Sequence, residues 1–324
     1  MKFLARNGIA MILLIASAVV DAQTQAPRVG ILVTEISRSE SQVIKGIGDE
    51  IKKLGYRVRK TIFLETRNAK GDRGGLQPAA IELVAKKVDA LVTFGTSATL
   101  AARAATRDIP IVFVHPADPI SLGLVAAMEK PGGNVTGVAG FSEEMTEQRL
   151  EKLKKIISKL QRVHVFYDAK KESGQENFTY VETIAAKLGL QAVRHGIKTA
   201  EELKVTVQNL KNVAGDALFH VADDLVEGEA DFVLETARKN KLPTMFTDET
   251  WSIKGAMAAY GPSYYEMGRQ AARLVHMIVT GRKAETIPIQ RAAKFDLILN
   301  YRTANLIGVT LNQDILREAD KVIR

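Results

Sequence analysis

The chain has 324 residues, 46% of them apolar and 25% charged, a balance that suits a globular protein with a sizeable core and excludes a disordered or fibrous one. It contains no cysteine, which excludes a disulfide framework, a thiolate metal site and a lipidated cysteine anchor. The net charge of +8 is scattered over helical faces, with no arginine-rich arm or aromatic-basic stripe, and gives no support to nucleic-acid binding.

Residues 1–22 carry Lys2 and Arg6 ahead of an uncharged run over 8–20, then end on Val20, Asp21 and Ala22, with small side chains where a signal peptidase reads. This is the pattern of a cleavable secretory leader, too short for a comfortable membrane span. Its removal would leave 43 basic and 36 acidic residues, a net of +7. The mature protein is therefore expected free in the periplasm, not as a lipoprotein.

From residue 28 the pattern alternates strand and helix. RVGILV (28–33) is a continuous apolar run, as expected of a strand buried on both faces of a parallel sheet. Val43, Ile47, Ile51 and Leu54 stand at helical spacing over 40–54, and Gly55 follows as a stop. RVRKTIF (57–63) reads as the next strand. A helix over 77–86, the strand DALVTF, a helix over 97–105 and the strand PIVFV continue a doubly wound series. A helix is expected over 121–130, ended by Pro131, Gly132 and Gly133. The small and β-branched residues of 134–140 then read as a hinge-like crossing out of a first lobe.

The same grammar restarts with a helix over 143–160, the strand RVHVFYD, a helix ending in LGL and the strand QAVRH. A helix over 200–210, the strand ALFHVAD, a helix over 228–240 and the strand PTMF follow. GAMAAYGPSYYEMGRQAARLVHMIVTG holds a strand and an amphipathic helix with Met267, Ala271, Leu274, Val275 and Ile278 on one face. The strand KFDLILN and two short helices complete the chain. The fold class expected is α/β: a first lobe of 27–139 plus 262–285 and a second of 140–261 plus 286–324, each with a parallel sheet. Polar loops follow strand patterns in both halves: VTEIS, FGTSA and VHPAD, then FYDAKKESG, HVADD and FTDETW.

VHPADPISLGLV, EKPGGNVTGV, FGTSATLAARAATRDIPIVF, GPSYYEMGRQAARLVHMIVTGRKAETIP and LNYRTANLIGVTLNQDILREADKVI together resemble the substrate-binding proteins of ABC transporters of the tryptophan/tyrosine-type group, over roughly 28–323. The resemblance implies the type I periplasmic-binding fold, two Rossmann-like lobes joined by three crossing strands with a solute held between them. It also implies partners: a small-molecule solute, amino-acid-like and possibly aromatic, and the permease and ATPase of an importer at the inner membrane, served by a monomer. A ligand sensor of the same fold, presenting its solute to a membrane signalling receptor, is the alternative.

In open α/β sheets ligands sit outside the carboxyl ends of strands, where all six loops lie. Thr96 and Ser97, opening a helix after a buried strand, suit a carboxylate through hydroxyls and N–H groups, and also suit plain helix capping. Ser173 stands near another helix start. Asp223 and Asp248 end strand patterns and could meet an ammonium group, or only cap the next helix. Asp118, before a proline, faces the cleft or makes a turn. Trp251, the single tryptophan, could stack on a flat solute, with Phe141 and Tyr167 as further aromatic candidates. Where the family commonly shows an Asn-Pro-Ser-like loop, this chain has Asp168 to Ser173, DAKKES. The five histidines show no metal spacing, GTSAT is not a nucleophile elbow, and no nucleotide loop occurs. No enzyme, metal or cofactor is expected.

Overall fold

The structure, a computed structural model, describes residues 26–324 apart from 115–118, 121, 141–142 and 212 and the side chains of 143–144. The first run of elements is β1 (Arg28–Val33), α1 (Arg38–Lys53), β2 (Phe63–Asn68), α2 (Leu76–Ala85), β3 (Ala90–Phe94), α3 (Gly95–Ala105), β4 (Ile111–Val114) and β5 (Val135–Ala139). The second is α4 (Glu143–Ile156), β6 (Arg162–Asp168), α5 (Glu172–Lys187), β7 (Gln191–Ile197), α6 (Ala200–Asn209), β8 (Asp216–Phe219), α7 (Asp224–Gly228), α8 (Ala230–Lys239), β9 (Thr244–Phe246), α9 (Glu249–Lys254) and β10 (Ala258–Pro262). The last is α10 (Tyr264–Val279), β11 (Gln290–Arg291), β12 (Phe295–Asn300), α11 (Tyr301–Ile307), α12 (Gln313–Glu318) and β13 (Lys321–Ile323).

These strands form two sheets, ordered β11-β5-β4-β3-β1-β2 and β13-β12-β10-β9-β8-β6-β7. Read from the β2 and β7 edges, both follow the doubly wound order in which the second strand lies outside the first and the third on its other side. The pairs are parallel except β10 with β12. Each sheet is covered on both faces by apolar side chains. That burial is why the strands read as unbroken apolar runs.

The chain leaves the first sheet after β5, returns to it after β10 and leaves again after β11. The return is fixed by α10 against α1. A Cβ on Gly46 would lie 2.1 Å from the Tyr265 carbonyl oxygen, and one on Gly268 would lie 2.2 Å from that of Val43. Only glycine permits this backbone approach. The apolar stripes of the two helices, Val43, Ile47 and Ile51 with Met267, Ala271 and Leu274, close over it.

Several sequence expectations are corrected. The second strand is β2 at Phe63–Asn68 rather than 57–63, because Arg59 takes φ +65° and its N–H donates to the Ile62 carbonyl in a tight turn. No helix forms over the described part of 121–130. Gly123 adopts φ +62°, Leu124 and Val125 donate to the Pro119 carbonyl, and Arg103 of α3 clamps the Gly123 and Leu124 carbonyls. The helix expected over 228–240 is divided between α7 and α8 at Glu229. Residues 134–140 are chiefly β5, buried at every position, so the passage between sheets comes after this stretch. Residues 286–292 belong with the first sheet: β11 pairs with β5, and Ile287, Ile289 and Ala292 pack in its cores. The boundary expected at 285 therefore falls too early. The leader lies outside the described residues, and among those described no helix is long and apolar enough to cross a membrane.

Candidate functional site

A cavity of about 390 Å³ opens between the two sheets at their carboxyl ends. Its lining follows β1 (Ser39), β3 (Phe94, Thr96), β6 (Lys171, Ser173), β8 (Ala222, Asp223, Asp224, Glu227), β9 (Thr247, Asp248, Trp251) and β10 (Tyr264). β1 with β3 and β6 with β8 are the pairs at which strand order reverses in each sheet. The cavity therefore sits where a doubly wound sheet leaves a crevice.

On the first-lobe side, Gly95 turns the chain from β3 into α3 at φ +78°, a conformation that favours glycine. The helix starts at Gly95 and not at Ser97, and its N-cap is Phe94. The cap position therefore belongs to neither Thr96 nor Ser97, and Phe94 has no side-chain oxygen to cap with. Thr96 lines the cavity, whereas Ser97 is half-buried on the same first turn, outside the lining. Thr99 anchors the turn, bonding the Gly95 carbonyl at 2.8 Å and the Thr93 hydroxyl at 2.9 Å. The positive end of an eleven-residue helix thus faces the cavity, and its N-cap residue, Phe94, contributes no side-chain capping bond.

The second-lobe side is acidic, but most of its carboxylates are engaged. Asp223 accepts from the Leu225 and Val226 amides at 3.0 and 3.2 Å through Oδ1, and from the Asp168 amide at 2.8 Å through Oδ2. Asp248 accepts from the Thr250 amide at 2.8 Å and the Tyr264 hydroxyl at 3.1 Å. Both are N-caps, of α7 and α9. Asp224 pairs with Lys171 at 2.9 Å. Burial raises the Asp248 carboxyl above its ordinary range, opposed by the hydrogen bonds from Thr250 and Tyr264 and by the charge of Arg149. Burial, with Asp248 beside it, pushes the Tyr264 phenol well up.

Glu227 is a lining residue that the sequence reading missed. It lies inside α7, without the strand-end position that drew attention to the two aspartates. Burial, and then the carboxylates of Asp248, Asp224 and Asp223, push its carboxyl up to about 7. Behind it His220 is 1% exposed, stacked on Phe246 at 4.5 Å, with Nε2 3.9 Å from a Glu227 oxygen. Among the described residues neither His220 ring nitrogen has a hydrogen-bond partner. Arg149 of α4 is buried as well, over the Phe219 ring at 4.4 Å, and donates to the His220 and Met245 carbonyls at 2.6 and 3.3 Å. Burial brings its guanidinium down to about 9, and burial with Arg149 nearby holds His220 neutral.

Ser173 lines the cavity in the first turn of α5, and Trp251 lines it from α9, its ring 5.7 Å from Phe246. Phe94 adds an edge-to-face contact with Tyr264 at 5.6 Å. Tyr167 does not reach the cavity. It is 3% exposed and packs on Phe178 in the second-lobe core. Strand parity explains it: Val163, Val165 and Tyr167 share one face of β6. Asp118 and Phe141 lie outside the described residues. Among the described residues no group of histidine, cysteine, aspartate or glutamate side chains is arranged to hold a metal.

Two doubly wound lobes joined by repeated crossings, with a cavity at their facing carboxyl ends, define a solute-binding protein of the type I periplasmic-binding fold. The chain belongs to the ABC transporter substrate binding protein family, whose model its residues 28–323 match. This is a family of solute binders and not of enzymes. The chain is 28% identical over 265 residues to a tyrosine-binding protein of Clostridioides difficile, covering 82% of this chain and 76% of that one. Among solved structures it is similar to a ligand-free, open substrate-binding protein with adhesive properties from Clostridium difficile (25% identity, TM-score 0.77, 92% of this chain and 99% of that one). An ABC domain in complex with L-Trp from Streptococcus pneumonia shares the fold at 22% identity and TM-score 0.77, covering 92% of this chain and 100% of that one.

Proposed function

We propose that the protein captures an amino-acid-like solute, aromatic in its side chain, and delivers it to the permease and ATPase of an importer. Its place of work is the periplasm, reached by export and removal of residues 1–22. The observation that carries this reading is the polarity of the cavity: an α-helix N-terminus with Thr96 on one wall, carboxyl groups on the other. A zwitterion fits that polarity, its carboxylate toward the first-turn amides of α3 beside Thr96 and its ammonium toward the second-lobe carboxyls. Trp251 and Phe94 offer apolar faces to the side chain, and Ser173 a further hydroxyl. The names of the relatives, one tyrosine-binding and one in complex with L-Trp, agree with it.

Closure around the solute would give the membrane partner a loaded shape to recognise. The test is a thermal-shift screen with L-tyrosine, L-tryptophan, branched-chain amino acids and sugars. A ligand of the folded state alone stabilises it by about 2.7 kcal/mol at a hundredfold excess over Kd. A shift with an aromatic amino acid supports the reading, and a shift with sugars alone sinks it.

A further inference from the structure

The second-lobe wall has four carboxyl side chains on the cavity, and accounting for their partners separates one from the rest. Asp223 and Asp248 already accept hydrogen bonds at both oxygens, and Asp224 is held by Lys171. Glu227 keeps 37% of its side chain exposed. Among the described residues its close polar neighbours are the Asp223 amide and His220, whose two ring nitrogens are buried with no hydrogen-bond partner there.

Resting on the zwitterion reading above, we propose that Glu227 is the residue that receives the solute's ammonium group and sets the preference for amines, with His220 positioning its carboxyl from behind. Asp223 and Asp248 shape the wall as helix caps. The arrangement suits a group that must serve empty and loaded states. In the empty cleft burial, and then the neighbouring carboxylates, push the Glu227 carboxyl up to about 7 and favour its protonated form. Its proton can then face the lone pair of a neutral imidazole. An arriving ammonium removes the reason to hold that proton. The carboxylate forms, and His220, in its other tautomer, turns an N–H toward it. Capture of the cation is thereby coupled to release of a proton. Among the described residues the charged and titrating groups facing Glu227 are Asp223 and Asp224 of α7 and its cap, Asp248 at the start of α9, His220 after β8 and Tyr264 of α10, with Arg149 of α4 behind His220. Lys171 stands one pair further out, on Asp224.

The probes are L-tryptophan and L-tyrosine against indole-3-propionate and 3-(4-hydroxyphenyl)propionate, which lack only the amine. Wild-type protein should prefer the amino acids. Glu227→Gln should weaken their binding by at least about tenfold, which is roughly 1.4 kcal/mol, and leave the des-amino acids within about twofold. Calorimetric titration at pH 7 in two buffers of different ionisation enthalpy should show net proton release in wild type and none in Glu227→Gln. His220→Phe, which keeps the stacking on Phe246, should shift the pH dependence of binding. If wild type binds an amino acid and Glu227→Gln binds it equally well with the same proton count, the assignment to Glu227 is overturned and the zwitterion reading stands. If wild type binds neither amino acid, both are overturned.

Discussion

Arg38 and Glu249 lie 2.8 Å apart across the mouth of the cleft, one in the first turn of α1 on the first lobe and the other in the first turn of α9 on the second. Beside them the Ser39 and Thr250 hydroxyls meet at 3.2 Å, and Glu249 also takes the ammonium of Lys321. Arg38 is half exposed, and an exposed ion pair is worth about 0–1 kcal/mol. This pair nevertheless exists only while the lobes are together, so its whole value biases closure.

Arg38→Gln or Glu249→Gln should therefore raise the dissociation rate of a bound solute by about two- to fivefold, an effect that fades at high salt. The melting temperature of the empty protein should hardly move. Stopped-flow fluorescence of Trp251, the single tryptophan, reads the rate. The exchanged pair, Arg38→Glu with Glu249→Arg, should recover part of the loss. An unchanged rate in both single variants would show that the contact plays no part in holding the lobes closed.

Gly137 gives the second prediction. In β5 its added Cβ would stand 2.3 Å from the Phe113 carbonyl oxygen and 2.5 Å from the Phe113 ring. Gly137→Ala should cost about 1–3 kcal/mol by overpacking, seen as a lower denaturation midpoint. Compaction on ligand binding, followed by small-angle scattering, should match wild type. Normal stability with impaired compaction would return this residue to the role of a hinge.

Much of the architecture was legible because burial on both sheet faces leaves apolar runs, and because the helices carry stripes such as Val43, Ile47 and Ile51. The places that misled are those where tertiary contact overrides local pattern. The stretch 121–130 reads as helical, but its described part folds as a loop in which Arg103 holds the Gly123 and Leu124 carbonyls. β11 is two residues long and has no pattern to read. At the site, strand-end aspartates were visible and their capping was foreseen as the competing role. Glu227 was not visible, since nothing in DLVEG marks which side of so short a helix meets the cavity. Tyr167 could have been placed by parity with Val163 and Val165.

Acid sensitivity should centre on the β6–β7 edge. His195 stacks on Phe166 at 4.5 Å and on His164, and burial, with His164 adding to it, brings its imidazole down to about 4. The unfolded chain protonates this residue near the ordinary histidine value of about 6.5. Between those values the unfolded state binds more protons, so stability falls as pH drops from about 6.5 to 4. Asp216 acts in the window below. Burial would raise its carboxyl, but Arg162 and His164 together hold it below the usual range, and its stabilisation is lost as pH falls through that lowered value. His195→Asn should flatten the change in urea midpoint between pH 7 and 4.5, and a slope equal to wild type would remove His195 as its source.

Asp248 and Glu227 should respond to isosteric amidation in opposite ways. Asp248 caps α9, accepts from the Tyr264 hydroxyl and supplies the countercharge nearest the buried Arg149 guanidinium. An asparagine can still cap the helix, but one side of its amide is a donor, so the bond from the Tyr264 hydroxyl to this residue is lost. Arg149, whose Nε already lacks a partner, keeps its charge without the opposing one. Leaving a buried polar group unpaired costs about 1–3 kcal/mol, so Asp248→Asn should lower the stability of the empty protein by that order while weakening an aromatic amino acid only about two- to threefold. Glu227→Gln should do the reverse, since relieving repulsion among the cavity carboxylates leaves stability equal or higher while the ammonium loses its partner. Melting curves of the empty variants and calorimetric titrations with L-tyrosine or L-tryptophan separate the two patterns. If Asp248→Asn keeps its melting temperature and loses tenfold or more in affinity, the ammonium belongs to Asp248, and Glu227 is only a neighbour that its charge perturbs.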